Sequence, residues 1–456
     1  MLGAGLFAGL LDELALKPRL AVGAATAVGF LGPGLWWMTE FHVGGFVLAV
    51  AVEAALFTLA PASTPPGRAM WVGLPAALVG VEALRSAWPF GGVPVATLAQ
   101  TQIGGPLALA SRLGGGLLVA GMVGVAGVAL AAAVRRRWRE ALAAGATVGL
   151  VTLAGALAPH GHAVADIGVV AAQSGGPRGL RAVDNPGGGR LDAAIGAARR
   201  LQGDADLVVL PENAITIDGE VAASDAGREV AALADDLDAT VVAGVVERAG
   251  DRFRNLAVAW GPDGAILGRY EKRQRVPFGE YIPWRSVVER VADVRFVPRD
   301  AFVGEGPGLL TTPAGDLGVA ISYEVFFASR ARAAVRAGGE VLLVPTNASS
   351  YPTTQMPALE LGAARLRAIE TGRAVVQAAP TGFSAVIGPD GTVRRQSDLG
   401  QPATLVAEVE RRRGSTLYTR LGDAPVLALA AAAGVGAWLI PRRRRTHETS
   451  RPRAGG

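Results

Sequence analysis

Long apolar runs, separated by short polar or basic segments, occupy most of the first 160 residues of this chain. A helix needs about 20 mostly apolar residues to cross the hydrocarbon core of a bilayer, and five runs reach or approach that length. We therefore predict a polytopic α-helical membrane domain over 1–160 and a single C-terminal span at 423–441. The five predicted spans of the first domain are 20–37, 46–59, 70–88, 113–134 and 141–157.

The composition agrees with a membrane protein that also has a water-exposed portion. Only 18% of the residues are charged, against roughly a quarter in soluble domains, and the mean hydropathy is +0.33. The net charge of +5 comes from arginine clusters beside apolar runs, which is typical of membrane anchors, and no nucleic-acid partner is predicted. The chain has no cysteine and four histidines, which excludes thiolate chemistry and argues against a Ser-His triad. No metal or cofactor is expected.

Basic residues predict the orientation of the spans. Clusters at 17–19, 135–139 and 442–445 fall on one side if the spans alternate. Because basic loops stay in the cytoplasm, we predict that residues from about Ala163 onward lie outside the cytoplasmic membrane. The chain then returns through the last span, and its basic tail, 442–456, is predicted to be cytoplasmic.

Short β-branched runs and helical stretches alternate after Asp166, which predicts an α/β domain over 163–415 with largely buried sheets. Two Gly-Pro-Asp-Gly segments, at 261–264 and 388–391, predict tight turns between strands. The predicted strands are 167–172, 207–210, 240–246, 256–260, 317–321, 341–344, 374–379 and 405–409, and the predicted helices are 191–201, 227–237, 328–337 and 359–371.

One strand of this domain runs into a small hydroxyl residue, Ser322, as a buried strand does when it ends at a sharp turn. Glu212 follows the predicted strand 207–210, and Lys272 lies in the run Tyr270-Glu271-Lys272-Arg273, which we interpret as the end of a further strand. A carboxylate base, an ammonium that stabilises an oxyanion and a nucleophile are together sufficient for acyl transfer. Spacing alone leaves the alternative open that these are ordinary surface or strand residues.

Several motifs resemble the nitrilase-like domain of the apolipoprotein N-acyltransferase family: Pro211-Glu212, Glu271-Lys272, Val276-Pro277-Phe278-Gly279-Glu280-Tyr281-Ile282-Pro283 and Ser322-Tyr323-Glu324. The resemblance implies a four-layer αββα sandwich with Glu212 as base, Lys272 as oxyanion stabiliser and position 322 as nucleophile. It also implies supporting roles. Glu280 would orient the lysine, the amide of Tyr323 would bind the oxyanion, and Glu324 would position the nucleophile or the acceptor amine.

The chain departs from the family at two points. The family has seven spans before the catalytic domain, so an N-terminal pair is expected to be missing or truncated, with 2–16 as its remainder. The family nucleophile is cysteine, whereas Ser322 stands here. A carboxylate is poorly matched to a hydroxyl, so the resemblance predicts an impaired, trapped or altered enzyme. Candidate lipid or headgroup contacts are Glu82, Arg85, Phe278 and Trp284, although Glu82 and Arg85 could instead form an ion pair.

The resemblance implies that the enzyme moves an acyl chain from a phospholipid to the α-amine of a diacylated lipoprotein in the bacterial cell membrane. A monomer is expected. Two alternatives stay open. One is a membrane-tethered amidase of the nitrilase superfamily that uses water as acceptor, and the other is a non-catalytic lipid or lipoprotein binder.

Overall fold

The structure, a computed structural model, describes residues 1–12, 14–179, 189–201, 203–290, 293–295, 297–351 and 353–440. The arginine cluster at 442–445 and the rest of the predicted cytoplasmic tail lie outside these residues. The described chain forms a helical unit, an α/β unit and a final helix that returns to the helical unit.

Helices cover all five spans predicted for the first domain. Within the described residues, Val43–Ser63, Pro106–Val134 and Trp138–Leu157 are long and apolar enough to cross a membrane. The predicted spans 20–37 and 70–88 coincide with helices of 19 and 16 residues. The helices are α1 (Leu2–Leu11), α2 (Leu16–Gly34), α3 (Val43–Phe57), α4 (Leu59–Ser63), α5 (Met70–Arg85), α6 (Ser111–Val134), α7 (Trp138–Leu157) and, near the end of the chain, α14 (Ala424–Leu439).

The basic cluster at 135–139 lies at the end of α6 that is remote from the α/β unit. Arg135 forms an ion pair with Asp12 and donates to the carbonyl of Gly9 at 2.8 Å. The opposite end of α6 contacts the α/β unit, where the backbone of Gly115 lies against the Tyr418 ring. The backbone of α6 is kinked at Gly114 and Gly115, and the continuous helical part that follows, up to Val134 and at about 1.5 Å per residue, separates the two.

A buried ion cluster joins α3 to α5. Arg85 pairs with Glu53, donates to Glu82 at 2.7 Å, and donates to the Val95 carbonyl at 3.1 Å. Arg85 is 1% exposed and Glu82 is 2% exposed. Glu82 and Arg85 therefore form a buried ion pair, as the alternative interpretation expected. Their burial argues against the expectation that they contact lipid headgroups.

The α/β unit contains two sheets in the described residues. The first has the order β14-β1-β2-β4-β5-β6, with β3 and β7 at its margins, and the second has the order β13-β12-β11-β10-β9-β8. The strands are β1 (His162–Gln173), β2 (Leu207–Val209), β3 (Ile215–Asp218), β4 (Thr240–Ala249), β5 (Arg252–Trp260), β6 (Ile266–Glu271), β7 (Asp300–Ala301), β8 (Leu309–Thr312), β9 (Gly315–Val319), β10 (Val341–Pro345), β11 (Val375–Ala378), β12 (Ala385–Ile387), β13 (Val393–Gln396) and β14 (Ala403–Arg413).

The two sheets pack face to face, and helices cover their outer faces. Val169 and Val209 of the first sheet share one apolar cluster with Leu317 and Val341 of the second. The central strands are thus buried on both faces, which explains why their sequences are continuous apolar runs. The helices of this unit are α8 (Arg190–Ala198), α9 (Asp225–Leu237), α10 (Arg285–Val288), α11 (Ala328–Arg336), α12 (Gln355–Thr371) and α13 (Leu417–Leu421). This four-layer αββα arrangement confirms the predicted fold class.

The helical unit and the α/β unit share one apolar cluster. Leu35 and Phe57 of the helical unit belong to the same buried group as Tyr323, Phe326 and Phe327. Tyr323 directly follows Ser322, and Phe326 and Phe327 come at the end of the same turn, so the predicted nucleophile lies on a turn that packs against the helical unit.

Candidate active site

The three predicted catalytic residues each follow a strand and are each buried. Glu212 comes after β2 and Lys272 after β6 in the first sheet, whereas Ser322 comes after β9 in the second. They are 4%, 2% and 7% exposed, respectively. A buried charge is stable only with partners, and those partners define the geometry of the site.

Lys272 lies between two carboxylates. Its Nζ is 3.0 Å from Oε1 of Glu212 and 2.7 Å from Oε1 of Glu280. Asn255 Nδ2 donates to the same two oxygens, at 2.8 and 2.9 Å. The other carboxylate oxygen of Glu280 accepts from the amide of Val276 at 2.8 Å. The structure thus brings together Glu212, Lys272 and Glu280, with Glu280 in contact with the lysine as the resemblance implied.

The charges of this group are coupled. Burial opposes the ammonium of Lys272, but the carboxylates of Glu212 and Glu280 outweigh it and raise the pKa of the lysine. Burial also raises the pKa of Glu212, against the opposing effect of Lys272. Lys272 is therefore an ammonium at neutral pH, and the raised pKa of Glu212 makes it a stronger proton acceptor than an exposed carboxylate.

Ser322 occupies a strained turn. Its φ of 49° lies in the left-handed region that residues other than glycine rarely adopt, and it begins a one-turn 3-10 helix, Ser322–Phe326. Strain of this kind is concentrated at functional sites. The amide of Tyr323 lies at the second position of the turn, where an amide has no acceptor within the helix. It is therefore suited to donate to an oxyanion.

The hydroxyl of Ser322 contacts a second polar group. Thr346, which follows β10, lies with its Oγ1 3.2 Å from Ser322 Oγ and 2.9 Å from Oε1 of Glu360 on α12. The next residue, Asn347, donates to Asn213 at 3.3 Å, and Asn213 follows Glu212. This contact joins the serine side of the site to the base side.

Glu324 holds the backbone around the site. Its carboxylate accepts from the Tyr270 hydroxyl at 2.8 Å, from the amides of Arg273 and Gln274 at 2.9 and 3.0 Å, and from the amide of Ile321 at 2.9 Å. It is fully buried. These contacts fix the chain just after Lys272 and just before Ser322, which agrees with a role in positioning the nucleophile. They leave no free carboxylate oxygen for an acceptor amine.

An aromatic surface lies next to the site. Phe90, from the loop after α5, packs edge-on against Phe278 and Trp284 with ring centroids 5.7 and 5.3 Å apart. Phe278 is 44% exposed and Trp284 is 70% exposed, so both rings are accessible at the surface, and their contact with lipid stays a prediction. In the same loop, the Gly92 carbonyl accepts from the Tyr323 hydroxyl at 3.1 Å.

Three contributors to the site escaped the sequence reasoning: Asn255, Thr346 and Glu360. Two of them carry a recognisable signal. Asn255 is a buried amide that directly precedes the apolar part of β5, and Glu360 interrupts the buried stripe that α12 forms with Met356 and Ala363. Polar residues at such positions need a partner, because their burial is otherwise costly.

A glycine beneath the base gives a direct test of the geometry. A Cβ on Gly244 of β4 would lie 2.4 Å from the Cα of Glu212, so Gly244→Ala must displace Glu212 from Lys272. We expect acyl-enzyme formation to fall at least ~100-fold, since a displacement of about 1 Å has that effect. Gly196→Ala on α8, where a Cβ meets nothing within 4 Å, is the matched control. Equal acylation of the two variants, measured by mass spectrometry of the protein, would show that the contact of Glu212 with Lys272 is not needed for formation of the acyl-enzyme.

Comparison with known proteins agrees with this architecture. The carbon-nitrogen hydrolase family pattern matches residues 163–417, and that of the apolipoprotein N-acyltransferase N-terminal domain matches residues 2–129. An apolipoprotein N-acyltransferase of Mycolicibacterium smegmatis is 34% identical over 246 residues, covering 51% of this chain and 40% of that protein. One of Synechocystis sp. is 34% identical over 242 residues, covering 52% and 45%. The matched region thus spans less than half the length of these relatives.

Among solved structures, an amidase from Nesterenkonia sp. aligns with 59% of this chain and 96% of its own, at 22% identity and a TM-score of 0.41. Because the hydrolase pattern covers more than half of the sequence, the chain belongs to the carbon-nitrogen hydrolase family. The match over 2–129 adds the membrane domain that apolipoprotein N-acyltransferases carry, which confirms the resemblance read from the motifs.

Proposed function

We propose that this protein is an apolipoprotein N-acyltransferase of the bacterial cell membrane. It takes an acyl chain from a phospholipid onto Ser322 and passes it to the α-amine of the N-terminal diacylglyceryl-cysteine of lipoproteins. The observation that carries the proposal is the buried ammonium of Lys272 between Glu212 and Glu280, on an α/β unit built against membrane-type helices.

In the first half-reaction, the oxygen of Ser322 attacks the ester carbonyl of the phospholipid. Lys272 and the amide of Tyr323 stabilise the negative charge on the carbonyl oxygen. The ester C–O bond of the donor then breaks, and a lysophospholipid leaves with a proton on its alcohol oxygen. Phe278 and Trp284, both exposed, offer an apolar surface for the acyl chain.

In the second half-reaction, the lipoprotein amine attacks the Ser322 ester. The bond between the acyl carbon and the serine oxygen breaks, the serine regains a proton, and an amide forms on the lipoprotein. An amide is more stable than an ester, so the overall transfer from phospholipid ester to lipoprotein amide is favourable. Glu212 is the group proposed to take the proton that the amine loses, since burial raises its pKa and so makes it a stronger base than an exposed carboxylate.

The proposed topology puts the α/β unit on the extracytoplasmic face and the C-terminus in the cytoplasm. One structural observation and one general rule support it. The arginines at 135–139 lie at the end of α6 that is remote from the α/β unit, and basic loops remain cytoplasmic. Lipoprotein N-termini and the phospholipid donor would then meet at the outer surface of the membrane.

The test uses the full chain in liposomes that contain a phospholipid labelled in its acyl chain, together with a synthetic diacylated lipopeptide that has a free α-amine. We expect labelled lipopeptide with the protein as it stands, more with Ser322→Cys because a thiolate forms more readily, and none with Ser322→Ala. Absence of transfer by both active forms would overturn the proposal. Label released only as free fatty acid would instead identify a hydrolase that uses water, as the family match alone would also allow.

A further inference from the structure

Activation of Ser322 requires a proton acceptor, and Glu212 does not contact it. Within the described residues, the hydrogen bonds of Glu212 go to Lys272 and Asn255, at 3.0 and 2.8 Å, and none goes to Ser322. A hydroxyl also holds its proton far more tightly than a thiol, whose pKa is about 8.5. A serine in this position therefore needs a base that is connected to its own oxygen.

Thr346 and Glu360 supply that connection. Ser322 Oγ is 3.2 Å from Thr346 Oγ1, which is 2.9 Å from Oε1 of Glu360. The Thr346 hydroxyl lies within donating distance of both oxygens but has only one hydrogen. When that hydrogen goes to Glu360, a lone pair of Thr346 Oγ1 is free to accept the hydrogen of Ser322. All three groups are buried: Thr346 is 0% exposed and Glu360 is 3% exposed.

Glu360 has no structural ion pair that would account for its burial. In the part of the chain that the structure describes, no lysine or arginine nitrogen lies within 4.0 Å of its carboxylate. An unpaired buried carboxylate is costly, and groups of this kind gather at active sites. Glu360 lies on the buried face of α12 that is directed toward Ser322, so its carboxylate can act on the nucleophile through Thr346.

We propose that Glu360, acting through Thr346, accepts the proton of Ser322 when the serine attacks the acyl donor. This inference rests on the proposed acyl transfer. As the bond from serine oxygen to acyl carbon forms, the serine proton moves to Thr346 Oγ1 and the threonine proton moves to Glu360 Oε1. When the donor ester C–O bond breaks, Glu360 returns its proton to Thr346 Oγ1 and Thr346 gives its other proton to the leaving alkoxide, which becomes the lysophospholipid alcohol. The oxygen of Ser322 keeps the acyl group.

The ionisation of Glu360 suits this role. Burial raises its pKa to about 7, against the lowering effects of the Thr346 hydroxyl, which donates to it, and of the nearby Ser322 hydroxyl. The other charged or titratable groups that act on it are Glu212, which raises the pKa, and Lys272, which lowers it; the Tyr351 hydroxyl is also close. A base whose pKa is near the working pH is the most efficient.

The test measures the rate at which Ser322 becomes acylated, by mass spectrometry of the full chain in labelled-phospholipid liposomes, between pH 5 and pH 9. Glu360 must be ionised to accept the proton, so the rate is expected to rise through about pH 7. Glu360→Gln is expected to lower it at least ~100-fold and to abolish this rise. Thr346→Val, which keeps the shape and removes the hydroxyl, is expected to do the same, whereas Thr346→Ser restores most of the rate.

Introducing Glu360→Gln into the Ser322→Cys protein distinguishes a role of Glu360 in proton transfer from a purely structural role. In Ser322→Cys, the thiol ionises without a strong base, so Glu360→Gln is expected to lower the rate less than ~10-fold. Equal losses in the serine and cysteine backgrounds would assign Glu360 a structural role and overturn the inference. So would an unchanged pH profile in Glu360→Gln, or a chain that is acylated only as Ser322→Cys. Failure of the proposed function is distinct, because Ser322→Cys itself would then transfer no acyl chain.

Discussion

Lys272→Met is expected to lower acyl transfer about 1,000-fold, because the site then loses the cation that stabilises the oxyanion. Methionine preserves the length of the side chain but not its charge. Glu212 and Glu280, which both contact Lys272 and Asn255, would remain as a buried and a partly buried carboxylate without a cation. Breaking a buried pair by removing one partner costs about 3–5 kcal/mol, so we also expect a lower free energy of unfolding.

Arg273→Met is the matched control for this variant. Arg273 is adjacent in sequence and exposed, and its contact with the site is made by its backbone amide, which donates to Glu324. Transfer of labelled acyl chain to the lipopeptide and thermal unfolding in detergent are measured for both variants. The assignment of Lys272 as the oxyanion stabiliser fails if Lys272→Met transfers as fast as the parent, or if Arg273→Met is equally damaging.

Glu324→Ala is expected to be the most destabilising single change around the site, at about 3–5 kcal/mol of unfolding free energy. Four donors lose their acceptor: the Tyr270 hydroxyl and the amides of Arg273, Gln274 and Ile321. Buried amides without acceptors each cost about 1–3 kcal/mol. Acyl transfer should fall with stability, since both the segment after Lys272 and the turn at Ser322 lose their common anchor.

Glu229→Ala on α9 is the control, because Glu229 is an exposed carboxylate on the same unit. Thermal unfolding in detergent distinguishes the two variants. If Glu324→Ala unfolds at the same temperature as Glu229→Ala, the contacts of Glu324 contribute little to stability. Loss of transfer with unchanged unfolding would instead point to a direct role of Glu324 in the reaction.

Much of the architecture follows from simple patterns in the sequence. The strands predicted at 207–210 and 341–344 are continuous apolar runs because both of their faces are covered, and the turns at 261–264 and 388–391 do connect neighbouring strands. Shorter or more polar strands, such as Ile215–Asp218 and Val393–Gln396, were missed. They lie at sheet margins, where only one neighbour and partial burial constrain their residues.

The site residues that follow strands could be predicted from the sequence, whereas the site residue on a helix, Glu360, could not. Glu212 and Lys272 are marked by the strands before them, and the resemblance gave their roles. Glu360 lies 38 positions after Ser322 and reaches it only because α12 packs on the second sheet, a relation that spacing does not encode. Glu82 and Arg85 illustrate the converse. Their spacing correctly suggested a pair, but the third member, Glu53, comes from a different helix.

The apolar cluster shared by the helical unit and the turn at Ser322 has a practical consequence. A fragment that begins at His162 would expose Tyr323, Phe326 and Phe327, and contiguous apolar patches of that kind promote aggregation. Such an excised fragment should require detergent to stay in solution, and its nucleophile would have lost its support on one side. Soluble versions of this domain would have to be redesigned at those three aromatic positions first.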